Sequence, residues 1–531
     1  MPSECISYRN TGYFSSLICD YLDQKDGLAP FYNRFPSLDN FEAQLEEKSN
    51  SFSQETRNTL SQALTKQYAH LTPSEATLEN IESLTASTTF TITTGHQLNL
   101  FTGPLYFLYK IIHTITLSRK LKEQHPNHHF VPVYWMATED HDFDEINYFR
   151  FKGKKVQWNR EASGPVGELD TKDLADVLAL FKNQLGSSRN AQYLATLFEN
   201  AYLKHDTLTQ ATRYLANELF AEYGLVIVDG NDAALKKEFA PYIKRELLEQ
   251  ISHKNVTEQT EKLVSTGYKE QVHPREINLF YIKKGLRERI VQEGDEYAVN
   301  DTEIRFRESE ILEELDAHPE RFSPNALLRP LFQEVILPNL CYIGGGGELA
   351  YWFQLRTYFK EVGVPFPMLL LRNSAMLRTS KQAQKAKSLG VNTQQLFAKQ
   401  NELVNQKIRS ISNINIDFSE QRAFLKEQFK AMHLLAQETD ASFEGAVKAQ
   451  EVKQLKGLDN LESRLLRAQK YKLKDHVQRL VDLQNESFPL HSLQERNTNF
   501  AEFYLEYGED LIPIILDSLN PENVGFTVIT I

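Results

Sequence analysis

The sequence predicts an α/β protein: an open parallel sheet with small excursions, followed by a long helical hairpin or coiled coil. Residues 89–136 read as an apolar, Thr-rich strand, an amphipathic helix and a second apolar strand. This is the pattern of a βαβ crossover, whose strands are parallel neighbours. Residues 373–487 contain no proline, and their apolar residues recur three and four apart, which is typical of long helices.

Length, charge and cysteine content narrow the class of protein. A chain of 531 residues exceeds one compact core and predicts several domains. The net charge of −12 argues against a general nucleic-acid binder. No apolar run has the length of a membrane span, and the N-terminus lacks the layout of a signal peptide, so we expect no membrane partner. Three cysteines without paired spacing fit a reducing cytoplasm and argue against a cysteine-built zinc site.

The loop at residues 93–104 connects the first strand to the first helix and carries the first candidate site. Pro104 stands where a first helical turn tolerates proline, and a helix N-terminus suits an anion or a phosphate. Glycines at 95 and 103 permit close backbone approach, either by a ligand or by a neighbouring strand. His96 could position a phosphate or a leaving group, or could be a structural hydrogen-bonder. The candidates in this loop are Gly95, His96, Gln97, Thr102 and Gly103.

The second strand, residues 130–136, leads into a dense acidic stretch. Carboxylates buried together raise one another's pKa and need a cation, whether a divalent metal, a substrate ammonium or nearby Arg and Lys. His141 could be a general base or a metal ligand. The alternative is a helix N-cap, which Asp142 or Asp144 alone would satisfy. The candidates are Glu139, Asp140, His141, Asp142, Asp144 and Glu145.

Further elements follow from local patterns. They are a hairpin at 149–158, helices at 171–222, a buried strand at 224–230 with a helix at 233–250, an antiparallel excursion at 277–307, a helix opening at 324–330, a strand at 340–343, a helix at 349–362, a strand at 365–371 and a β-like end at 526–531.

The strand at 340–343 leads into four glycines and repeats the plan of the first unit. A side chain within this loop would obstruct whatever approaches it, although an ordinary flexible turn is the alternative. Glu348 at the following helix start could be a cap or a substrate contact, and Cys341 reads as a core strand residue. The candidates here are Gly344, Gly345, Gly346, Gly347 and Glu348. Because ligands bind at the carboxyl edge of open parallel sheets, we expect the glycine loops and the acids to enclose one chamber.

Residues 93–96 resemble the first signature of class I aminoacyl-tRNA synthetases and related nucleotidyl transferases, with Thr93 in the first His position. Residues 378–381 resemble their second signature. Lys381 could then neutralise phosphate charge, although a solvated lysine at a helix start is the alternative.

A more extensive resemblance covers nearly the whole chain. Residues 94–106, 135–146 and 347–352 resemble the BshC family, which is described as cysteine ligases of bacillithiol biosynthesis. The resemblance implies a Rossmann-like core with connecting insertions and a coiled-coil domain that pairs two subunits. It also implies addition of L-cysteine to the amine of glucosaminyl-malate, giving bacillithiol. Family members commonly carry Gln where this chain has His96 and Pro where it has Gly346.

The resulting hypothesis is an ATP-dependent amide ligase that acts as a cytoplasmic homodimer. ATP would activate the cysteine carboxylate, and Mg²⁺ or an ammonium group would occupy the remaining acids. A base must deprotonate the amine, and Arg372 is a candidate for the malate group. The candidates for catalysis are His96, Asp140, His141, Asp142 and Asp144, and no residue is assigned to a metal. The candidates for binding are Gly95, Gln97, Thr102, Gly103, Glu139, Glu145, Gly344, Gly345, Gly346, Gly347, Glu348, Arg372 and Lys381. Two alternatives stay open: a metal-dependent nucleotidyl transferase or phosphoesterase, and a coiled-coil dimeric scaffold with a degenerate nucleotide pocket.

The patterns and the resemblance together divide the chain into eight segments. These are an N-terminal helical segment packing on the core (1–85), the first half of the core (86–146), a first connecting insertion (147–222), the core continuation (223–276), a second, antiparallel β insertion (277–323), the last core strands with the glycine loop (324–372), the dimerising coiled coil (373–488) and a segment returning to the core (489–531).

Overall fold

The computed structural model describes residues 3–531. Across these residues the strands are β1 Ser3–Ser7, β2 Thr89–His96, β3 His129–Met136, β4 Tyr148–Phe151, β5 Lys154–Gln157, β6 Val226–Asp229, β7 Leu279–Lys283, β8 Leu286–Glu293, β9 Glu296–Val299, β10 Arg305–Arg307, β11 Phe322–Pro324, β12 Asn339–Gly344, β13 Met368–Leu371, β14 Ala375–Arg378 and β15 Gly525–Thr530.

The α-helices of the same residues lie mostly between these strands and in a long C-terminal run. They are α1 Tyr8–Thr11, α2 Ser16–Leu22, α3 Phe41–Ser51, α4 Gln54–Gln67, α5 Glu75–Ser83, α6 Tyr106–Gln124, α7 Phe143–Ile146, α8 Leu174–Leu185, α9 Arg189–Leu203, α10 Leu208–Phe220, α11 Ala233–Glu249, α12 Ile251–Ser265, α13 Glu308–Ala317, α14 Arg329–Ile336, α15 Gly346–Trp352, α16 Arg356–Val362, α17 Ser380–Leu389, α18 Thr393–Leu396, α19 Gln400–Ile411, α20 Ser419–Gln437, α21 Ala441–Lys472, α22 Lys474–Ser487, α23 Gln494–Asn497, α24 Ala501–Tyr507 and α25 Leu511–Ser518.

The central sheet has five parallel strands in the order β13-β12-β2-β3-β6. Counted along the chain, this is the order 3-2-1-4-5 of doubly wound nucleotide-binding folds. The predicted α/β class with a Rossmann-like parallel sheet is therefore confirmed. The strand order reverses between β2 and β12, so a crevice opens at the carboxyl ends of these two strands.

The Thr-rich composition of β2 suits its central position, where all eight residues are buried. Phe90 and Ile92 pack with Cys341 in one apolar cluster, which confirms the expected core position of the cysteine. On the same strand, the Thr93 hydroxyl donates to Asn339 Oδ1 at 2.8 Å. The Thr94 hydroxyl donates to the carbonyl of Ile343 at 2.7 Å. These two buried threonines thus keep hydrogen-bond partners inside the core.

Two antiparallel excursions interrupt the core, as predicted. The first is the hairpin of β4 and β5. The second is a five-stranded sheet in the order β10-β9-β8-β7-β11. The C-terminal strand β15 confirms the predicted β-like end and pairs antiparallel with β1. The segment before residue 86 is therefore not wholly helical, because its first strand finds a partner more than five hundred positions away.

The helix predicted at 349–362 is broken into α15 and α16. Gln354 lies in the break, is buried, and accepts the backbone N–H groups of Gln271 and Val272 at 3.1 Å. Its amide donates to Thr260 Oγ1 at 2.6 Å. The break therefore lets one glutamine satisfy a distant chain segment. The helix predicted to open at 324 instead begins at Arg329, because Asn325 accepts the N–H groups of the next residues and forms a turn.

Within the described residues the chain forms two compact units. The first comprises 3–9, 13–376 and 492–529, and the second comprises 10–12, 377–491 and 530–531. In the second unit α20 and α21 form a helical hairpin, in which Phe429, Ala436 and Val447 are buried together. The predicted helical hairpin is confirmed, and its second helix, α21, ends at Lys472. Within residues 3–531 every helix is either too short or too polar to traverse a lipid bilayer.

His113 lies on the buried face of α6 and connects this helix to two chain segments of the first unit. Its Nδ1 accepts the backbone N–H of Asn373 at 2.9 Å, and its Nε2 contacts the carbonyl of Pro521 at 3.1 Å. Because a backbone N–H can only donate, Nδ1 carries no proton and the Nε2–H donates to Pro521. Burial, together with the charge of Arg372, lowers the pKa of His113 from 6.5 to about 4.

The depressed pKa of His113 predicts a specific pH dependence of stability. Below pH 6.5 the unfolded chain binds a proton at this position that the folded chain does not accept until about pH 4. The free energy of unfolding should therefore decrease as the pH is lowered from 6.5 to about 4, by up to about 3 kcal/mol in total from this group. Urea unfolding of the wild type and of His113→Gln, whose amide can donate and accept in the same places, measures the contribution. An equally steep slope in both proteins between pH 6.5 and pH 4 would contradict it.

Candidate active site

A cavity of about 680 Å³ lies at the carboxyl ends of β2, β3 and β12, where the strand order reverses. Residues from both loops and from the acidic stretch line it, so the three predicted stretches share one chamber. The predicted residues among its lining are Gly95, His96, Gln97, Glu139, Asp140, His141, Glu145, Gly345, Gly346, Gly347, Glu348 and Arg372.

An ion pair between the buried Lys110 and the partly exposed Glu348 joins the two glycine loops. Lys110 Nζ lies 2.6 Å from Glu348 Oε1 and donates to the carbonyl of Gly95 at 2.6 Å. Glu348 also accepts the Tyr342 hydroxyl at 2.7 Å and the Gly345 N–H at 3.1 Å. Burial raises the pKa of Glu348, but Lys110 and these hydrogen bonds outweigh it and hold the pKa below its usual value. Glu348 is therefore a charged structural anchor as well as a cap of α15.

The glycines serve different purposes. A Cβ added at Gly95 would lie 3.1 Å from the Tyr342 hydroxyl, so the close neighbour there is a strand side chain. Gly344 ends β12 and does not line the cavity, and its added Cβ would lie 2.9 Å from the Tyr342 ring. A Cβ added at Gly347 would meet no atom within 4 Å. The backbone at Gly347 thus borders open space, as an approaching ligand requires.

Thr102 and Gly103 do not reach the cavity. Phe101, Thr102 and Gly103 all have positive φ, which is uncommon for the first two residues. The buried Asn499 stabilises this conformation, because its amide donates to the carbonyls of Phe101 and Gly103. The N–H of Leu105 at the helix start donates to the Thr498 carbonyl at 2.8 Å. Since this loop packs on residues 498–499, it does not offer the phosphate site that the sequence predicted there.

The five acids of the acidic stretch are not buried together. Asp142 is the N-cap of α7 and accepts the N–H of Glu145 at 3.2 Å. Asp144 accepts from the Asn147 amide at 3.3 Å. Both are exposed and neither lines the cavity, so the capping alternative describes Asp142. Lys381 is exposed in the first turn of α17, in the second unit, and is not among the lining residues.

Asp140, His141 and Arg287 form a polar cluster on one wall. Asp140 accepts from the Gln97 amide at 2.6 Å and lies 3.9 Å from Arg287 Nη1. Burial raises the pKa of Asp140, but the Gln97 hydrogen bond and Arg287 together bring it below its usual value. Arg287 Nη1 lies 2.6 Å from His141 Nδ1. Because a guanidinium can only donate, Nδ1 carries no proton, and neutral His141 presents its Nε2–H as a donor.

Three buried polar atoms of the lining have neither a hydrogen bond nor an ion pair among residues 3–531: His96 Nε2, Gln97 Oε1 and Arg287 Nε. Buried polar groups are nearly always satisfied, so these three atoms are available to a polar ligand or to water in the cavity. Burial, together with the charge of Lys110, holds the pKa of His96 well below its usual value. His96 is thus neutral at physiological pH and packs edge-on against Tyr106 with ring centres 5.3 Å apart.

Glu145 differs from the other acids of the cavity because it forms no ion pair among the described residues. Burial and then the negative charges of Asp142, Asp140 and Glu348 raise its pKa. By contrast, Glu139 forms an ion pair with the buried Lys236. Among residues 3–531 no three His, Cys, Asp or Glu side chains are placed to hold a metal ion. The acids therefore do not fit a metal site built from protein ligands alone.

The predicted Arg372 lines the cavity, but a buried carboxylate occupies its guanidinium. Its two terminal nitrogens donate to Glu495 at 2.7 and 3.0 Å, a bidentate pair in which both side chains are buried. Arg329 has no such partner among the described carboxylates and donates to the Tyr351 hydroxyl at 3.3 Å. Unpaired positive charge at this cavity therefore comes from Arg329 and from Arg496, which also forms no ion pair among the described residues, rather than from Arg372.

Sequence reasoning missed several lining residues: Lys110, Arg287, Arg329 and Arg496. Lys110 could have been found from the sequence, since it interrupts a run of apolar residues along the chain, with Tyr109 before it and Ile111 after it. A lysine in such a position requires a buried partner. The three arginines come from the second insertion, from the start of α14 and from the C-terminal segment, and no local pattern connects those places.

Comparisons with known proteins cover the whole chain. Residues 1–373 match the family model described as "Bacillithiol biosynthesis BshC, N-terminal Rossmann-like domain", and residues 375–531 match its "C-terminal coiled-coil domain". A protein of Flavobacterium johnsoniae named "Putative cysteine ligase BshC" is 58% identical over 531 residues, covering 100% of both chains. A protein of Christiangramia forsetii with the same name is 57% identical to this chain, over 100% of this chain and 99% of that one. The Cytophaga hutchinsonii protein is 36% identical, over 98% and 97%.

Proposed function

This chain belongs to the BshC family, and we propose that it is a ligase joining the carboxyl group of L-cysteine to the amine of glucosaminyl-malate, with ATP as the energy source. The product would be the thiol bacillithiol. The observation that carries the proposal is a cavity at the switch point in which an unpaired carboxylate, Glu145, shares one chamber with an open glycine loop. Amide synthesis needs both a base for the amine and room for an activated carboxyl group.

The glycine loop is the proposed place of carboxyl activation. A free carboxylate is a poor electrophile, and ATP supplies the activation by converting its oxygen into a leaving group. Open space at Gly347 admits phosphate groups close to the backbone, and the unpaired Arg329 offers positive charge. Mg²⁺ reaches nucleotide sites largely through phosphate oxygens and needs few protein carboxylates. The absence of a three-ligand cluster among residues 3–531 is compatible with that mode of binding.

Glu145 is the proposed general base. The amine arrives as an ammonium group and must lose a proton before its nitrogen attacks the carboxyl carbon. A carboxylate whose pKa is raised above its usual value accepts that proton better than one engaged by a cation. Asp140 and Glu139 are engaged by Arg287 and Lys236. Glu145, which the sequence offered for binding, is therefore proposed as the base in place of the earlier candidates His141, Asp140, Asp142 and Asp144.

The two histidines are proposed to position substrates. His141 donates through Nε2–H, which suits the developing charge on a carbonyl oxygen. His96 offers its unpartnered Nε2 to the cavity. A glutamine carbonyl at position 96, which family members commonly carry, would accept the same hydrogen bond. A role in contacting substrate, rather than in proton transfer, is therefore common to histidine and glutamine at this position. The reaction would consume ATP and would leave the thiol of cysteine free in the product, which fits an enzyme of a reducing cytoplasm.

The direct test incubates the purified protein with L-cysteine, glucosaminyl-malate, ATP and Mg²⁺ and measures the products by mass spectrometry. We expect bacillithiol in equal amount to the nucleotide product. AMP would identify an adenylate of cysteine, and ADP an acyl phosphate. Nucleotide turnover that is independent of cysteine and acceptor, or no product at all, would contradict the ligase.

Replacement of the proposed base should slow the reaction strongly. We expect Glu145→Gln to lower the rate by about a hundredfold or more at neutral pH, because general-base catalysis is worth this much. The remaining rate should rise with pH, as the amine loses its proton without help. Glu79→Gln, at an exposed position of α5, is the matched control. Full activity of Glu145→Gln, with loss in an Asp142→Asn, Asp144→Asn double variant, would return the role to the acidic stretch.

We further propose that the helical hairpin pairs two copies of the chain. An apolar groove between α20 and α21 is lined by Phe424, Leu425, Leu458 and Leu461. Phe424 is 73% exposed and Leu461 is 53% exposed, which is unusual for side chains this apolar. A helix of a second copy would cover them and remove this area from water.

A charge within this groove should therefore break the dimer. We expect the wild type to sediment as a dimer and Phe424→Glu, Leu461→Glu to sediment as a folded monomer, measured by analytical ultracentrifugation with circular dichroism. Leu180→Glu, at an equally exposed leucine of α8, is the control and should remain dimeric. A monomeric wild type, or a dimer in the double variant, would exclude pairing through this groove.

A further inference from the structure

A second, smaller cavity of about 200 Å³ adjoins the main one, and we call it the side cavity. The two cavities share Tyr106, Glu145 and Arg496 in their walls. The side cavity is otherwise bordered by Asn99 and by the β4 strand with Arg150. Glu145 thus stands at the junction, with the glycine loop on one side and the side cavity on the other.

The side cavity contains two guanidinium groups without a counter-ion. Neither Arg150 nor Arg496 forms an ion pair with any carboxylate among residues 3–531. The other arginines nearby differ, since Arg372 is paired with Glu495 and Arg287 lies beside Asp140. Two unpaired guanidinium groups bordering one small cavity attract an anion, and each planar fork matches a carboxylate.

Local structure fixes the positions of both arginines. Along β4 the side chains alternate, so Phe149 and Phe151 are buried and Arg150 points to the opposite face. The carbonyl of Arg150 accepts the N–H of Asn499 at 3.2 Å. Because Arg496 lies in α23 just before this contact, a backbone hydrogen bond ties the two segments together. The pair of charges is therefore part of the folded architecture.

We propose that the side cavity is the subsite for the anionic tail of the acceptor, with Arg150 and Arg496 binding the two carboxylates of its malate group. This inference rests on the proposed ligase function. With the malate group in the side cavity, the amine on the sugar faces Glu145 at the junction, and its nitrogen is directed toward the activated carboxyl group at the glycine loop. In this arrangement the positions of the side cavity and the glycine loop, on either side of Glu145, determine the orientation of both substrates.

Phosphate groups of the nucleotide share the anionic chemistry, so the test must separate the two sources. Isothermal titration calorimetry with Arg150→Gln and Arg496→Gln measures binding of glucosaminyl-malate, of methyl glucosaminide, which lacks the carboxylates, and of ATP. We expect each variant to bind glucosaminyl-malate about tenfold to a hundredfold more weakly, the effect of one charge-assisted contact. Binding of methyl glucosaminide and of ATP should stay unchanged. Arg189→Gln, at an exposed arginine that lines neither cavity, should bind all three ligands as the wild type does.

An equal loss for the acceptor with and without carboxylates would overturn the assignment, and so would a loss confined to ATP. Arg150→Lys and Arg496→Lys guard against misfolding, since the retained charge should restore part of the affinity; no rescue in folded lysine variants that bind methyl glucosaminide normally would also count against the subsite. Binding does not depend on turnover. Arginine-dependent acceptor binding without product formation would therefore leave the subsite standing and refute the ligase, whereas product formation that ignores both arginines would do the reverse.

Discussion

The contact between Lys110 and Glu348 connects the two strand ends from which the cavity is built. The Lys110 ammonium group donates to the carbonyl of Gly95 near the end of β2. Its partner Glu348 accepts the N–H of Gly345 and so stabilises the glycine loop after β12. Lys110 is buried and Glu348 is partly exposed, so breaking the pair is costly mainly because the ammonium group would be left unsolvated. The contact holds the glycine loop after β12 against the end of β2, next to the last residues at which these two strands pair.

Most charges around the chamber are compensated, which makes the uncompensated ones informative. Asp140, Glu139 and Arg372 each have a partner of opposite charge. Glu145 and Arg329 do not, among the described residues. Pairing lowers the free energy of the folded protein, whereas groups left without a partner beside a cavity remain available to substrates. The proposed base and the proposed anion contacts come from this second set.

The sequence predicted those features that depend on neighbours along the chain. Apolar runs followed by glycines or acids predicted β2, β3 and β12, and the rule that ligands bind at the carboxyl edge of a parallel sheet predicted that their ends line one chamber. The prediction failed for residues whose partner lies far away in the sequence. Arg372 was assigned to substrate, but Glu495 occupies it from 123 positions away. The many acids close together in sequence favoured a buried cluster over the capping alternative for Asp142. In the structure Asp142 is instead the N-cap of the short helix α7.

The C-terminal segment contributes a further consequence. Glu495 neutralises Arg372, Arg496 borders both cavities, and Asn499 supports the strained loop at 101–103, almost four hundred positions earlier. These supports come from a segment that follows the last strand of the central sheet by more than a hundred residues, so the sheet can pair before the chamber has all its walls. A chain cut between Leu371 and Glu495 would keep all five strands of the central sheet but would lack these supports. Assembly of the chamber is therefore a later step than pairing of the sheet.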